Sequence, residues 1–219
     1  MTNPIKMTFK TEVLPIILLI SAFVASFYFY ANFPERVPTH WNFKGQVDGW
    51  SSAAFAAFFF PVLNLGMYLL FLVIPYIDPK KERYEEFKHV FHIFKNFLIA
   101  FMTVIYFLTG LNGMGYNLPI NVFVPIMVGI LFILMGNYMG KLKSNWFMGA
   151  RNPWTLSSEE VWNKTNRITG KIFILSGLLM ILEGFLPDNV KLSFFIFIIA
   201  LMVIVPNLYS FIIYNRTKK

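Results

Sequence analysis

The chain has 219 residues, of which 57% are hydrophobic and only 14% charged, with a formal net charge of +8. A soluble globular domain carries about 45–50% apolar and about 25% charged residues, so this composition excludes an ordinary water-soluble fold. No cysteine is present, which rules out disulfides, thiol chemistry and cysteine lipidation.

Six apolar runs are long enough to cross a bilayer: residues 13–31, 53–77, 90–111, 118–140, 168–187 and 192–214. About 20 apolar residues cross the roughly 30 Å hydrocarbon core as a helix. The expected fold is all-α, a polytopic integral membrane protein built as a bundle of six transmembrane helices. The first run ends in SFYFYANFPER with no small-residue cleavage pattern, so it reads as a retained span and not a signal peptide.

Between the first two spans, residues 32–52 read NFPERVPTHWNFKGQVDGWSS. Pro34 and Pro38 oppose helix, Gly45 and Gly49 permit tight turns, and Asp48-Gly49 is a turn dipeptide. Trp41 and Trp50 suit the membrane–water interface. The segment is either a structured cap on the bundle or a ligand-receiving surface. The second rests on the cost of ordering so long a loop unless it is used.

Asn64 in the second span and Asn207 in the sixth read as interhelical hydrogen-bond partners. Glu85, His89, His92 and Asn96 follow helical spacing and form a polar stripe entering the third span. The stripe is expected to pack against the long polar loop after the fourth span, with a proton path as the alternative. Lys95 is expected to snorkel to the nearer interface. Glu183, in the fifth span, lies at the opposite depth, so no Lys95–Glu183 ion pair is expected. His92, Lys95 and Glu183 are the intramembrane polar residues that a function would have to use or neutralise.

Residues 136–171 read GNYMGKLKSNWFMGARNPWTLSSEEVWNKTNRITGK, an aromatic, basic run with one acidic pair, Glu159 and Glu160. Ser157-Ser158-Glu159-Glu160 fits a capping box and starts a helix near Ser158. That helix is expected to run along the membrane surface into the fifth span, with Trp162 at the interface. Pro153 holds Asn152 extended, so Arg151 and Trp154 flank a rigid corner.

Charge fixes the expected orientation. Fifteen Lys and Arg residues fall in the termini and the loops on their side, three (Arg36, Lys44 and Lys191) fall on the other, and Lys95 lies inside a span. Loops rich in Lys and Arg stay in the cytoplasm. The expectation is a multi-pass plasma-membrane protein with both termini and the Arg151 loop cytoplasmic. The net charge is then a topology signal and calls for no nucleic-acid partner.

The 136–171 run resembles the signature of the SdpI family, G-N-x-x-x-K-x-K-x-N, then G-x-R-x-P-W-T-L, then W-x-K-T-H-R-x-x-G. Here it is carried by Gly136, Asn137, Lys141, Lys143, Asn145, Gly149, Arg151, Pro153, Trp154, Thr155, Leu156, Trp162, Lys164, Thr165, Arg167 and Gly170. The outer segment resembles the P-x-H-W-N-x-x-G-x-x-D pattern, a domain of unknown function found in the N-terminal half of such proteins, with Pro38, His40, Trp41, Asn42, Gly45 and Asp48. The chain departs from the pattern at Asn166, where histidine is usual, so no role there can depend on an imidazole. The resemblance implies a membrane immunity protein and receptor for a secreted peptide toxin. It also implies a signal relay in which a small winged-helix repressor is held at the membrane. Toxin contact would fall to the six outer residues. Partner contact would fall to Asn137, Asn145, Arg151, Pro153, Trp154, Trp162, Lys164 and Arg167. Two halves are expected, residues 1–115 with spans 1–3 and 116–219 with spans 4–6.

No metal, cofactor or enzymatic role is expected. His40, Asp48 and nearby Glu35 lack the spacing of a catalytic zinc site, and neither a nucleophile elbow nor a phosphate loop occurs. Membrane lipids are the general partner. The alternative from another class is a small transporter or lipid-handling protein using His92 and Glu183. Internal similarity between halves would favour a transporter, and none is visible in the loops.

Overall fold

Thr8, Ser52 and Ser158 each accept a backbone N–H through the side-chain oxygen, and each opens a long helix. The computed structural model describes residues 5–217; Lys218 and Lys219, counted above among the basic residues, lie outside them. The long helices are α1 (Phe9–Asn32), α2 (Ala53–Ile77), α3 (Tyr84–Gly113), α4 (Ile120–Met139), α6 (Glu159–Glu183) and α7 (Asp188–Thr217), with a short α5 (Pro153–Ser157). All six long helices are long and apolar enough to cross a membrane, as the hydropathy pattern requires. The helix of the fifth span starts where the capping box implies, at Glu159 after the Ser158 cap, and ends at Glu183, short of residue 187.

Residues expected to form an irregular outer loop form a two-stranded antiparallel hairpin, β1 (Arg36–Trp41) and β2 (Val47–Ser52). It joins α1 to α2 at one end of the bundle, here the hairpin end. The α2–α3 turn and the loop between α4 and α6 lie at the other, basic end.

Prolines within the spans organise the first three helices. A proline lacks an N–H, so the carbonyl four residues earlier loses its donor. Pro15 frees Thr11 O, and Lys95 Nζ of α3 lies 3.4 Å from it. Pro61 frees Ala57 O, and Tyr106 Oη of α3 donates to it at 2.8 Å while contacting Ser26 Oγ of α1 at 3.0 Å. Between these levels, Asn64 donates to Ile99 O and Thr103 Oγ1, the interhelical role expected for it. In lipid, where backbone groups find no water, such bonds tie helices together.

The second group of helices is held by close backbone approach. A Cβ on Gly129 would stand 2.5 Å from Gly177 O, and one on Gly136 would stand 2.7 Å from Gly170 O. The two pairs repeat every seven residues along α4 and α6 in opposite directions. Small residues at both levels let the helix backbones touch, and van der Waals packing substitutes for the hydrophobic drive that lipid removes. Helix α7 packs on the other side of α6, and α3 touches α4. Large apolar side chains such as Phe27, Ile17, Phe197 and Val203 face outward, where lipid would meet them.

Candidate functional site

The outer pattern is a set of instructions for a hairpin. Asn42 Oδ1 accepts the backbone N–H of Lys44 and Gln46 at 2.9 and 3.1 Å, closing the turn. Gly45 has φ +74, a conformation that glycine adopts without a steric cost. The turn therefore falls at Phe43–Gly45, and the expected Asp48-Gly49 turn is instead part of β2. There Asp48 Oδ1 contacts His40 Nδ1, and Gly49 sits opposite His40, where a Cβ would come 2.7 Å from the His40 Cβ. The register slips between Pro38 and Trp41, as a strand carrying proline requires. His40, Asn42, Gly45 and Asp48 thus spend much of their chemistry shaping the hairpin. Its outward groups are His40, Phe43, Lys44 and Trp50, while Pro38 and Trp41 are half-buried.

The hairpin bridges the helix groups. Val37 is buried against Gly113 of α3, Phe43 lies 5.5 Å from Phe195 of α7, and Gly45 touches Asn121 of α4. Beneath it is a cleft of about 190 Å³, walled by Phe33, Val37, Phe55, Phe59 and Phe60 and with Thr109 among its few polar groups.

At the basic end, the long loop is knotted to the bundle through its signature residues. Asn145, wholly buried, donates to Lys143 O and Met148 O and accepts from the N–H of Phe147 and Met148. Gly149 has φ +106 and lies against Asn166 Oδ1 and the Trp162 ring, which lets the Ala150 N–H donate to Asn166 Oδ1 at 2.8 Å. Trp162 is not at the interface as expected. It is wholly buried, with Nε1 donating to Leu142 O at 2.8 Å. Burial also removes Asn145 and Trp162 from any surface that a partner touches directly. Asn166 needs only an acceptor here and a donor to Trp162 O, so an amide serves where an imidazole is usual.

Asn152 is extended, as expected before Pro153, and caps α5; its amide reaches Asn207 Oδ1 and Ser210 Oγ of α7. Trp154 packs on Phe211, and Arg151 Nη1 donates to Trp146 O at 2.6 Å. The loop is equally bound to the α2–α3 turn. Asp78, buried, accepts from the Trp146 N–H, Tyr84 Oη and the Lys80 N–H, while Lys80 Nζ reaches Ser144 and Arg83 pairs with Glu159. Pinned on both sides of its backbone, Trp146 holds its indole outward at 48% exposure. Asn137, Pro153, Lys164 and Arg167 are also exposed. Asp78 and Trp146 were not singled out from sequence, and Asn152 only for its extended backbone. Only Asn152, before a proline, carried a local signal.

Within the spans, Lys95 does not snorkel. Its Nζ is buried and lies 2.6 Å from both Glu12 oxygens, and Tyr68 Oη donates to Glu12 Oε2 at 2.8 Å. Burying a cation in this way requires a paired anion with its own hydrogen bonds. His92 Nδ1 stands 3.9 Å from Glu12 Oε1. The stripe therefore turns toward α1 at His92, not toward the long loop; Glu85 pairs with Lys88 and His89 is exposed. Glu183 is buried near the hairpin end, apart from Lys95, and its Oε2 has no hydrogen-bond partner among the described residues.

The profile of the SdpI/YfhL protein family matches residues 141–210, covering the basic-end loop, α6 and most of α7. A domain of unknown function, DUF1648, matches residues 17–65 and so takes in the hairpin. The immunity protein SdpI of Bacillus subtilis (strain 168) is 26% identical over 207 residues, covering 94% of this chain and 97% of that protein. The chain is thus similar to the SdpI family over residues 141–210 and to one of its members along nearly its whole length. The matched segment contains the residues that lock the loop, Asn145, Gly149, Arg151 and Trp162. No solved structure matches this chain.

Proposed function

We propose that this multi-pass membrane protein is an immunity protein against a secreted peptide toxin, received at the hairpin end. The observation that carries this reading is the end-to-end similarity to an immunity protein, with both shared segments folded into defined surfaces at opposite ends of one bundle. The hairpin end faces outward, because the basic residues concentrate at the other end and positive loops stay in the cytoplasm. Both termini are then cytoplasmic. The apolar cleft under the hairpin suits an apolar side chain of a peptide; Trp50, paired with Pro38 of its wall, and His40 and Trp41 farther along β1 are the proposed contacts. The role is binding, without catalysis.

The finer reading adds a relay. Trp146, Lys164 and Arg167 are each exposed at the cytoplasmic end, Lys164 paired with Glu160, and offer aromatic and charged groups suited to a small protein such as a winged-helix repressor. Arg151, Trp154, Asn145 and Trp162 hold that surface in shape. The bonds from Asp78 and Lys80 connect it to α2 and α3, which also support the hairpin.

Expression in sensitive cells lacking their own immunity protein, challenged with the secreted peptide, tests the first reading. Survival should rise with the intact chain and fall with Trp41→Ala or Trp50→Ala at unchanged membrane abundance. Full protection by both variants would reduce the hairpin to a cap. A membrane-recruitment assay with Trp146→Ala tests the relay: recruitment should be lost while survival is kept.

A further inference from the structure

At the basic end a second cavity, of about 180 Å³, opens between the Gly149–Asn152 segment, α6 and α7. Its lining is of two kinds. Arg151 and Asn207 are polar, whereas Phe173, Met202, Val203 and Pro206 are apolar. Arg151 is exposed, donates a hydrogen bond to Trp146 O, and has no carboxylate partner among the described residues. Guanidinium carries five N–H donors, so most of its fork stays free for a planar pair of oxygens.

The cavity is open sideways. Val203 lines it and is 55% exposed on the outer face of α7. Ile199, Ile196 and Leu192 follow at intervals of four, three and four residues, all exposed, so one apolar stripe leads away from the cavity toward the hairpin end. At 1.5 Å per residue the stripe is roughly 16 Å long, about half the roughly 30 Å hydrocarbon core. That is the depth of one leaflet.

We infer that this cavity is a binding site for an anionic phospholipid, with the phosphate on Arg151 and one acyl chain along the Val203–Leu192 stripe. The Asn207 amide has one N–H beyond the bond it gives to Val203 O, and it supplies a second donor near the headgroup. A seated lipid would brace the loop against α7 at the point where Asn152 already bonds Asn207 and Ser210. The site is independent of any toxin or protein partner.

Native mass spectrometry of the purified full-length chain tests this with phosphatidylglycerol, phosphatidylethanolamine of the same acyl chains, and inorganic phosphate. One phosphatidylglycerol should be retained in preference to phosphatidylethanolamine. Arg151→Gln should weaken retention roughly fivefold or more, from about 1 kcal/mol per cation near a charged headgroup. Val203→Trp, which fills the mouth without changing charge, should weaken it comparably at unchanged thermal stability. If Arg151→Gln unfolds through loss of the Trp146 tie, Val203→Trp alone decides. Equal retention of both lipids, or retention indifferent to Val203→Trp, would overturn the site. Displacement of the lipid by millimolar phosphate would show an anion site without a lipid.

Discussion

Lys95 and Glu12, 83 positions apart in the chain, meet inside the bundle with the ammonium nitrogen 2.6 Å from each carboxylate oxygen. The pair joins α3 to α1, and Tyr68 adds α2 through the same carboxylate. Three helices therefore converge on one neutralised charge.

Removing one partner strands the other charge away from water, which typically costs about 3–5 kcal/mol. Glu12→Gln and Lys95→Met should each lower the melting temperature in detergent and reduce membrane abundance. The double variant should recover much of that loss. Single variants as stable as the parent would mean that the pair is hydrated and contributes little. If the pair served a transport path, the recovered double variant would lose activity despite its stability.

Tyr106 and Pro61 should be coupled. Tyr106→Phe leaves the Ala57 carbonyl without a donor, at a cost of about 0.6–2 kcal/mol for an interhelical bond in lipid. Pro61→Ala restores the in-helix N–H, so the same Tyr106→Phe change should cost less in that background. Equal costs in a double-mutant cycle would separate the hydroxyl from the proline.

The α4–α6 contact should not tolerate a Cβ. Gly129→Ala and Gly177→Ala each place a methyl about 2.5 Å from a carbonyl oxygen of the facing helix. Overpacking of this kind typically costs about 1–3 kcal/mol. Gly66→Ala is the control, since nothing lies within 4 Å of its added Cβ. Thermal unfolding should separate the three variants, and equal stability would place the helices farther apart.

Asn166→Leu should destabilise the basic-end loop, because it leaves the buried-side acceptor role toward Ala150 N–H unfilled, at about 1–3 kcal/mol. Asn166→His should be milder, since one neutral ring nitrogen accepts. Limited proteolysis near Gly149 reads the loop directly. Similar cleavage of Asn166→Leu and the parent would show that the bond is dispensable.

Orientation is testable because the chain has no cysteine. Single cysteines at Asn42 and Ser157 should differ in intact cells: a membrane-impermeant thiol reagent should label position 42 and spare 157. The reverse pattern would invert the proposed roles of the two ends.

The sequence by itself determined the six spans, the Ser158 helix start and the extended Asn152. Each depends on residues within a few positions: apolar run length, a hydroxyl before the first turn, a proline after the amide. It also held the family signature, though not the work each signature residue does. Tertiary structure alone decided that Lys95 meets Glu12, that Trp162 is buried while Trp146 is exposed, and that the outer loop is a hairpin with its turn at Phe43–Gly45. A long side chain at a membrane boundary can reach water or a buried anion, and the choice depends on which helix packs beside it. Glu12 sat at the edge of the first apolar run, where local pattern gave it no partner; the approach of α3 to α1 supplied one.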